Sequence, residues 1–122
     1  MDSRQNTGRF GEDAAAAFLE GKGFTVVARN WRSGHYELDI VALDGDGLHF
    51  VEVRTRINSG IRPQDTVDCT KQRKVVEAAK RFLRAPGHGK FSDFDVFFDV
   101  IGVTLANGTA DLEYIPQAFI PM

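Results

Sequence analysis

The sequence predicts an α/β fold, an α-β-β-β-α-β core with a mixed sheet flanked by helices, in a single domain spanning residues 1–122. Three observations carry the prediction. A helical repeat lies near the start, two alternating strands are joined by a sharp reversal, and a second amphipathic helix separates that hairpin from a bulky apolar strand. A chain of 122 residues is long enough to bury one core and needs no second domain.

Thr7 is a candidate N-cap, and from Gly8 the pattern is helical to about Glu20, with Gly21 and Gly23 as the stop. At about 100° per residue, Arg9, Asp13 and Glu20 form one wet stripe. Glu12 falls instead among Ala15, Ala16 and Leu19, so it leans toward protein. Phe24 to Trp31 alternates as a strand. Two more strands follow, YELDIVAL and LHFVEVRTR, joined through Asp44-Gly45-Asp46-Gly47, whose Gly and Asp residues tolerate the positive φ of a tight reversal. After Arg56 comes a loop with Gly60 and Pro63. Thr70 then opens a second helix to about Leu83, ended by Pro86-Gly87, with Val75, Ala78, Ala79 and Phe82 as its apolar stripe. Phe94 to Leu105 reads as a buried strand, and Ala110 to Phe119 as a further one after an Asn107-Gly108 turn.

Hydrophobic residues at 43% and charged residues at 26% describe a folded domain and exclude collagen-like, mucin-like and wholly disordered chains. No apolar run approaches a membrane span, and the polar start lacks the build of a signal peptide, so the expected location is the cytoplasm. The lone Cys69 has no partner for a disulfide or a zinc site. A formal net charge of -2 argues mildly against nucleic-acid binding. The distribution weakens that objection. From Arg56 to Arg84, Arg56, Arg62, Lys71, Arg73, Lys74, Lys80, Arg81 and Arg84 face only Asp65, Asp68 and Glu77, a basic segment suited to holding phosphate or to forming a solvated helix face. The apolar C-terminal LEYIPQAFIPM should pack onto the domain or onto a second copy, so a homodimer is one expected assembly.

The hairpin carries the chemistry. If it closes over Gly45-Asp46, residue numbers that face each other sum to 91, which sets Asp39 opposite Glu52 and Glu37 opposite Arg54 on one face. The other face carries Tyr36, Leu38, Ile40, Ala42, His49, Val51, Val53 and Thr55, and is expected to be core. Two facing acids repel unless something neutralises them, and a divalent cation is the economical remedy. Oxygen-only ligands suit Mg²⁺ or Mn²⁺. The competing arrangement is an exposed salt-bridge ladder of Glu37, Asp39, Glu52, Arg54 and Arg56, reached by a one-step shift that pairs Asp39 with Arg54. His35, His49 and His88 have no metal-site or nucleophilic spacing. Asp99 is a candidate structural partner for a basic group.

Gly11-Glu12 through Arg29-Asn30, then YELDIVALDGDGLHFVEVRTR, Lys71 with the Ala78-Ala79 helix, and Phe98-Asp99-Val100 together resemble the YraN-type family of endonuclease-like proteins. The match spans roughly residues 8 to 103. That family is grouped with the restriction-endonuclease-like PD-(D/E)xK nucleases, relatives in fold of Holliday-junction resolvases. The resemblance implies that Asp39 and Glu52 are the two acids of the motif and that Glu12 is the helix glutamate completing the site. Arg54 stands where the motif usually has lysine. Tyr36-Glu37 stands where the family usually has Gly-Glu, which keeps Glu37 and loses the glycine.

The function that the resemblance implies is that of a metal-dependent endonuclease acting on DNA, branched forms included. Asp39 and Glu52 would bind one Mg²⁺ or Mn²⁺, with Glu12 as outer ligand and the Val53 carbonyl as a further one. Arg54 would brace the scissile phosphate, and Lys71, Gln72 and Arg56 would hold the nucleic-acid backbone. Two alternatives stand beside it: a nucleic-acid-binding module that has lost catalysis, since arginine cannot act as a base, and a protein-interaction domain, in keeping with the acidic sum.

Overall fold

The computed structural model describes residues 3–57, 68–106 and 108–120, with side chains described from residue 8 onward. Its elements in chain order are helix α1 (Ser3–Gly21), strands β1 (Thr25–Ser33), β2 (Tyr36–Asp44) and β3 (Gly47–Ile57), helix α2 (Cys69–Arg84), and strands β4 (Asp95–Ala106) and β5 (Thr109–Ile115). A 3₁₀ turn, Gly89–Phe91, lies between α2 and β4. The order is the expected one. The five strands form one sheet in the order β1-β2-β3-β4-β5. Only β3 and β4 run parallel, which is why the connection between them contains a helix.

Helix α1 begins at Ser3 and not after a cap at Thr7, so Thr7 lies inside it. Its end is set by Gly23, at φ +97°, which lets Phe24 N–H turn back to the Leu19 carbonyl at 3.0 Å. For α2 the capping residue is Asp68, two residues ahead of the expected Thr70. Its carboxylate accepts from Lys71 N–H at 2.9 Å, a bond that a short acidic side chain makes readily at a helix start. The buried stripe of α2 is Val75, Ala78, Ala79 and Phe82, as its periodicity requires. The expected loop at Gly60 and Pro63, and Asn107 of the final turn, lie outside the described residues.

Both faces of the sheet are core. One cluster packs Leu38, Val41, Leu48, Phe50, Phe98 and Val100 under α2. The other packs Ile40, Ala42, Val51, Ile101 and Val103 under Ala15, Ala16 and Leu19 of α1. A single apolar face holding Tyr36, Leu38, Ile40 and Ala42 together is therefore not what forms. Leu38 and Val41, three residues apart, share the α2 side, as do Ala28 and Trp31 on β1, although strict alternation would part them. Arg29 pairs with Ile40 and Trp31 with Leu38, so the slip in both strands falls around Asn30 and Asp39. Asn30 adopts φ +51°, a left-handed conformation that asparagine tolerates better than most residues. A further irregularity between Val26 and Ala28 bends β1 again.

At the turn end of the sheet, Asp99 is wholly buried. Its Oδ2 lies 2.6 Å from His49 Nδ1 and accepts from Tyr114 O–H at 2.7 Å, while Oδ1 accepts from Gln117 N–H at 2.9 Å. This network joins β3, β4, β5 and the C-terminal turn, and makes Asp99 the structural partner of a basic group. The C-terminal segment folds back on its own domain: Ala118 N–H donates to the Phe98 carbonyl at 2.8 Å and the Phe119 ring stacks on Phe98. No described helix is long and apolar enough to cross a membrane.

Helix α1 crosses β3 at its closest over Gly11, where an added Cβ would overlap Thr55 Oγ1 and stand 2.9 Å from Thr55 Cβ. Only glycine fits there without movement. Gly11→Ala should lower the unfolding free energy by about 1–3 kcal/mol in urea titration, the usual range for overpacking. Thr55→Gly in the same chain should recover part of that loss. An unchanged midpoint for Gly11→Ala would show that the helix does not sit against β3 as described.

Candidate functional site

The hairpin closes with the expected register, Asp44 with Gly47, Leu43 with Leu48, Ala42 with His49, Val41 with Phe50 and Ile40 with Val51. The ladder ends there. The next pair in that register would be Asp39 and Glu52, and at this point β3 leaves β2 while continuing beside β4 through Glu52, Val53 and Arg54. The two acids stand where the strands part. Asp39 Oδ2 accepts from Val53 N–H at 2.8 Å, which takes up a backbone donor and fixes the carboxylate against β3. The slip at Asn30 and Asp39 and the parting of β2 from β3 have the same consequence, a polar recess between two core clusters.

Glu52 is 5% exposed. Two cations converge on its Oε1, Lys71 Nζ at 3.4 Å from the first turn of α2 and Arg54 Nε at 4.0 Å from β3. Burial first, and then the charge of Asp39, push the Glu52 carboxyl up from the ordinary 4.5 to about 7, while Lys71 and Arg54 pull it down. Asp39 is also raised, chiefly by burial and to a lesser degree by Glu37. The Val53 amide, Lys71 and a hydrogen bond between the two carboxyl groups act in the opposite direction. The shared site therefore resists carrying two negative charges, as facing acids in a water-poor recess must.

Glu12 joins them from α1. Its carboxyl is raised first by burial and next by Asp39, against Arg29 and a hydrogen bond from Asn30. Arg29 Nη2 stands 3.7 Å from Glu12 Oε1, and that buried oxygen has no hydrogen-bond partner among the described residues.

The structure thus brings together Asp39, Glu52, Glu12, Arg54 and Lys71. It does not bring in Glu37, whose carboxylate turns to Arg32 of β1 at 3.2 Å and not to Arg54, because β3 has left β2 before that pairing can form. The exposed salt-bridge ladder is likewise absent among the described residues: Glu52 is buried, and the register is not shifted. Arg56 is half-buried two residues beyond Arg54. Gln72 lines a separate cleft with Cys69, Arg73, Val76 and the Phe119–Ile120 segment. Asn30, Arg29 and Asp68 are site-shaping residues that periodicity does not reveal. The one signal for Asp68 was a capping residue two positions ahead of Thr70.

Among the described residues, no three His, Cys, Asp or Glu side chains enclose an ion by themselves. Asp39 and Glu52 are the residues that could hold a magnesium-like cation, which needs only one or two carboxylates and completes its shell with water and phosphate oxygens.

The profile of a family described as "Uncharacterised protein family UPF0102" matches residues 11–103. A UPF0102 protein of Nitratidesulfovibrio vulgaris is 41% identical over 120 residues, covering 98% of this chain and 87% of that protein. A UPF0102 protein of Bacteroides thetaiotaomicron is 40% identical over 123 residues, covering 99% and 98%. Another, of Anaeromyxobacter dehalogenans, is 44% identical over 120 residues, covering 97% and 87%.

The raised carboxyls make a pH prediction whose sign is fixed. Between 4.5, where an unfolded glutamate titrates, and about 7, where Glu52 does in the fold, the folded chain holds the extra proton. Stability of the metal-free protein should therefore fall as pH rises through that window and then level off. Glu52→Gln, which carries no ionisable group, should flatten this slope and raise stability at pH about 8 by an amount on the order of 2 kcal/mol. Thermal melts of both proteins from acid to mildly alkaline pH check it. Parallel curves would mean that Glu52 titrates normally.

Proposed function

The chain belongs to the UPF0102 family, and on that premise we propose that it is a metal-dependent endonuclease of restriction-endonuclease-like fold, hydrolysing DNA phosphodiester bonds with branched or junction DNA as the substrate class. The observation that carries this reading is the meeting of Asp39 and Glu52 where β2 and β3 part, with cationic side chains drawn to them from β3 and from α2. Such a pair is held at a disadvantage until positive charge enters. A divalent cation, Mg²⁺ or Mn²⁺, would supply that charge and, when bound, makes water a stronger nucleophile at neutral pH.

Each residue then has a definite task. Asp39, fixed by the Val53 amide, and Glu52, fixed between Lys71 and Arg54, present the two ligand oxygens. Glu12, whose Oε1 has no hydrogen-bond partner among the described residues, would orient a water from the α1 side. The Val53 carbonyl is a further candidate ligand. Arg54 remains protonated at any working pH, so it serves as a fixed positive charge for the scissile phosphate and not as a base. Arg56 and the N-terminal turn of α2 extend the basic ground over which the nucleic-acid backbone would lie. The mixed sheet, with its acids on the β2–β3 hairpin and a helical crossover into a parallel β4, is the framework this chemistry uses.

A second reading has its own observation. Arg54 occupies the position where the motif usually has lysine, and Lys71 already sets its charge against Glu52, so a domain that binds nucleic acid without cutting it also accounts for these contacts.

Junction, flap and duplex DNA incubated with Mg²⁺ or Mn²⁺ decide between them. The nuclease reading expects cleavage by the wild type and a fall of about 100-fold or more for Glu52→Ala, the scale seen when a principal stabiliser of transition-state charge is removed. Calorimetric titration should show one Mn²⁺ site that Asp39→Asn loses. Salt-dependent DNA binding with no cleavage and no metal response would favour the binding module. Absence of DNA binding even at low salt would leave a protein-interaction domain.

A further inference from the structure

We propose that Lys71 is the resident counter-ion of the Asp39–Glu52 pair, a side-chain cation that holds the two carboxyls until a divalent cation takes its place and that then turns to the phosphate of the nucleic acid. This inference rests on the nuclease reading and adds to it a role for a residue outside the hairpin.

Four observations carry it. Lys71 Nζ stands 3.4 Å from Glu52 Oε1, nearer than Arg54 Nε at 4.0 Å. Its charge acts on both carboxyls. Lys71 sits on α2, not on the hairpin, and its backbone is pinned by the Asp68 cap, so its side chain can swing while its root stays fixed. That side chain is 29% exposed against 5% for Glu52, which leaves an open way out of the recess.

The chemistry of lysine suits the part. An ammonium is a compact point charge on a flexible four-carbon stem, able to exchange one oxygen partner for another without breaking a planar bidentate pairing. It resembles a hydrated metal ion more closely than a guanidinium does. With a divalent ion held by Asp39 and Glu52, their charge would be balanced and the Lys71 ammonium would be repelled outward. The incoming phosphate is then the nearest anion. Arg54 is rooted two residues from Glu52 on the same strand, and its planar guanidinium exchanges partners less readily than an ammonium.

The test uses the full chain. At a single fixed pH, Mn²⁺ is titrated calorimetrically into wild type, Lys71→Met and Lys71→Arg. Removing the competing charge should tighten Mn²⁺ binding by about tenfold in Lys71→Met, whereas Lys71→Arg, which keeps the charge on a less mobile head group, should not tighten it. Cleavage by Lys71→Met should fall by about 100-fold although the metal binds better, a split that a merely structural residue would not produce. A second measurement needs no variant. In the wild type, the nuclear magnetic resonances of the Lys71 ε-methylene should shift and sharpen when Mg²⁺ is added, as the ammonium leaves the recess. If wild type binds Mn²⁺ and Lys71→Met binds it equally or more weakly, the inference is overturned while the nuclease reading survives. Unmoved Lys71 resonances at saturating Mg²⁺ overturn it in the same way, and they decide the matter should Lys71→Met not fold. If the wild type binds no divalent ion, both readings fall together.

Discussion

Two carboxyl groups confined to one water-poor recess cannot both ionise without positive charge close at hand, and the arrangement around Asp39 and Glu52 obeys that constraint. Neither acid can retreat. Glu52 is set in β3, whose parallel pairing with β4 runs unbroken past it, and Asp39 is tied by the Val53 amide. Relief must therefore come from other groups, and it comes from two directions, as Arg54 along β3 and Lys71 from α2. Arg29, on β1, answers Glu12 in the same manner.

Asp99 provides the contrast within the same molecule. It is more deeply buried than Glu52, yet His49, Tyr114 and the Gln117 amide direct hydrogen-bonding groups at both of its oxygens. A buried carboxylate so surrounded is satisfied by the protein alone and serves to lock strands together. Asp39 and Glu52 are satisfied only in part by neutral donors, and Glu12 keeps an oxygen with no hydrogen-bond partner among the described residues. The difference lies in partners and not in burial. Asp99 is satisfied by the protein alone, whereas Glu52, one register step away across β3 and β4, is held by charges.

Much of this was legible in the residues. The Gly45-Asp46 reversal sets the register, and the register brings Asp39 level with Glu52, because a two-residue turn leaves no freedom in pairing. The stripes of α1 and α2 come from helical spacing. What periodicity could not show was the end of the ladder beyond Ile40 and Val51. Alternation assumes that two strands stay together, and it therefore set Glu37 against Arg54, whereas the strands part and Glu37 finds Arg32. The slip around Asn30 is equally silent, since a single left-handed asparagine leaves the pattern of neighbouring residue types unchanged. Asp68 caps α2 through its own bond to the Lys71 amide, a local contact that helical spacing alone does not reveal. The family matches show kinship and say nothing about chemistry, so the functional reading depends on the geometry of these few side chains.

Arg54 is the residue on which that reading bears hardest. In a motif built as acid, spacer, lysine, the cation comes two positions after the second acid on the same strand and so shares its face. Arginine there preserves the charge but widens the head group, fixes its protonation and favours two-point contact with an anion. Such a group is suited to gripping a phosphate or to bracing Glu52, and poorly suited to moving between them. Lysine's mobility has not vanished from the recess, however, because α2 delivers Lys71 to the same oxygen from the opposite direction. The crossover that makes β3 and β4 parallel is what allows this. The helix placed between them brings Lys71, in its first turn, to the acid that β3 carries. The crossover helix and the strand thus each set a cation against the same carboxylate, and arginine at position 54 leaves that charge in place.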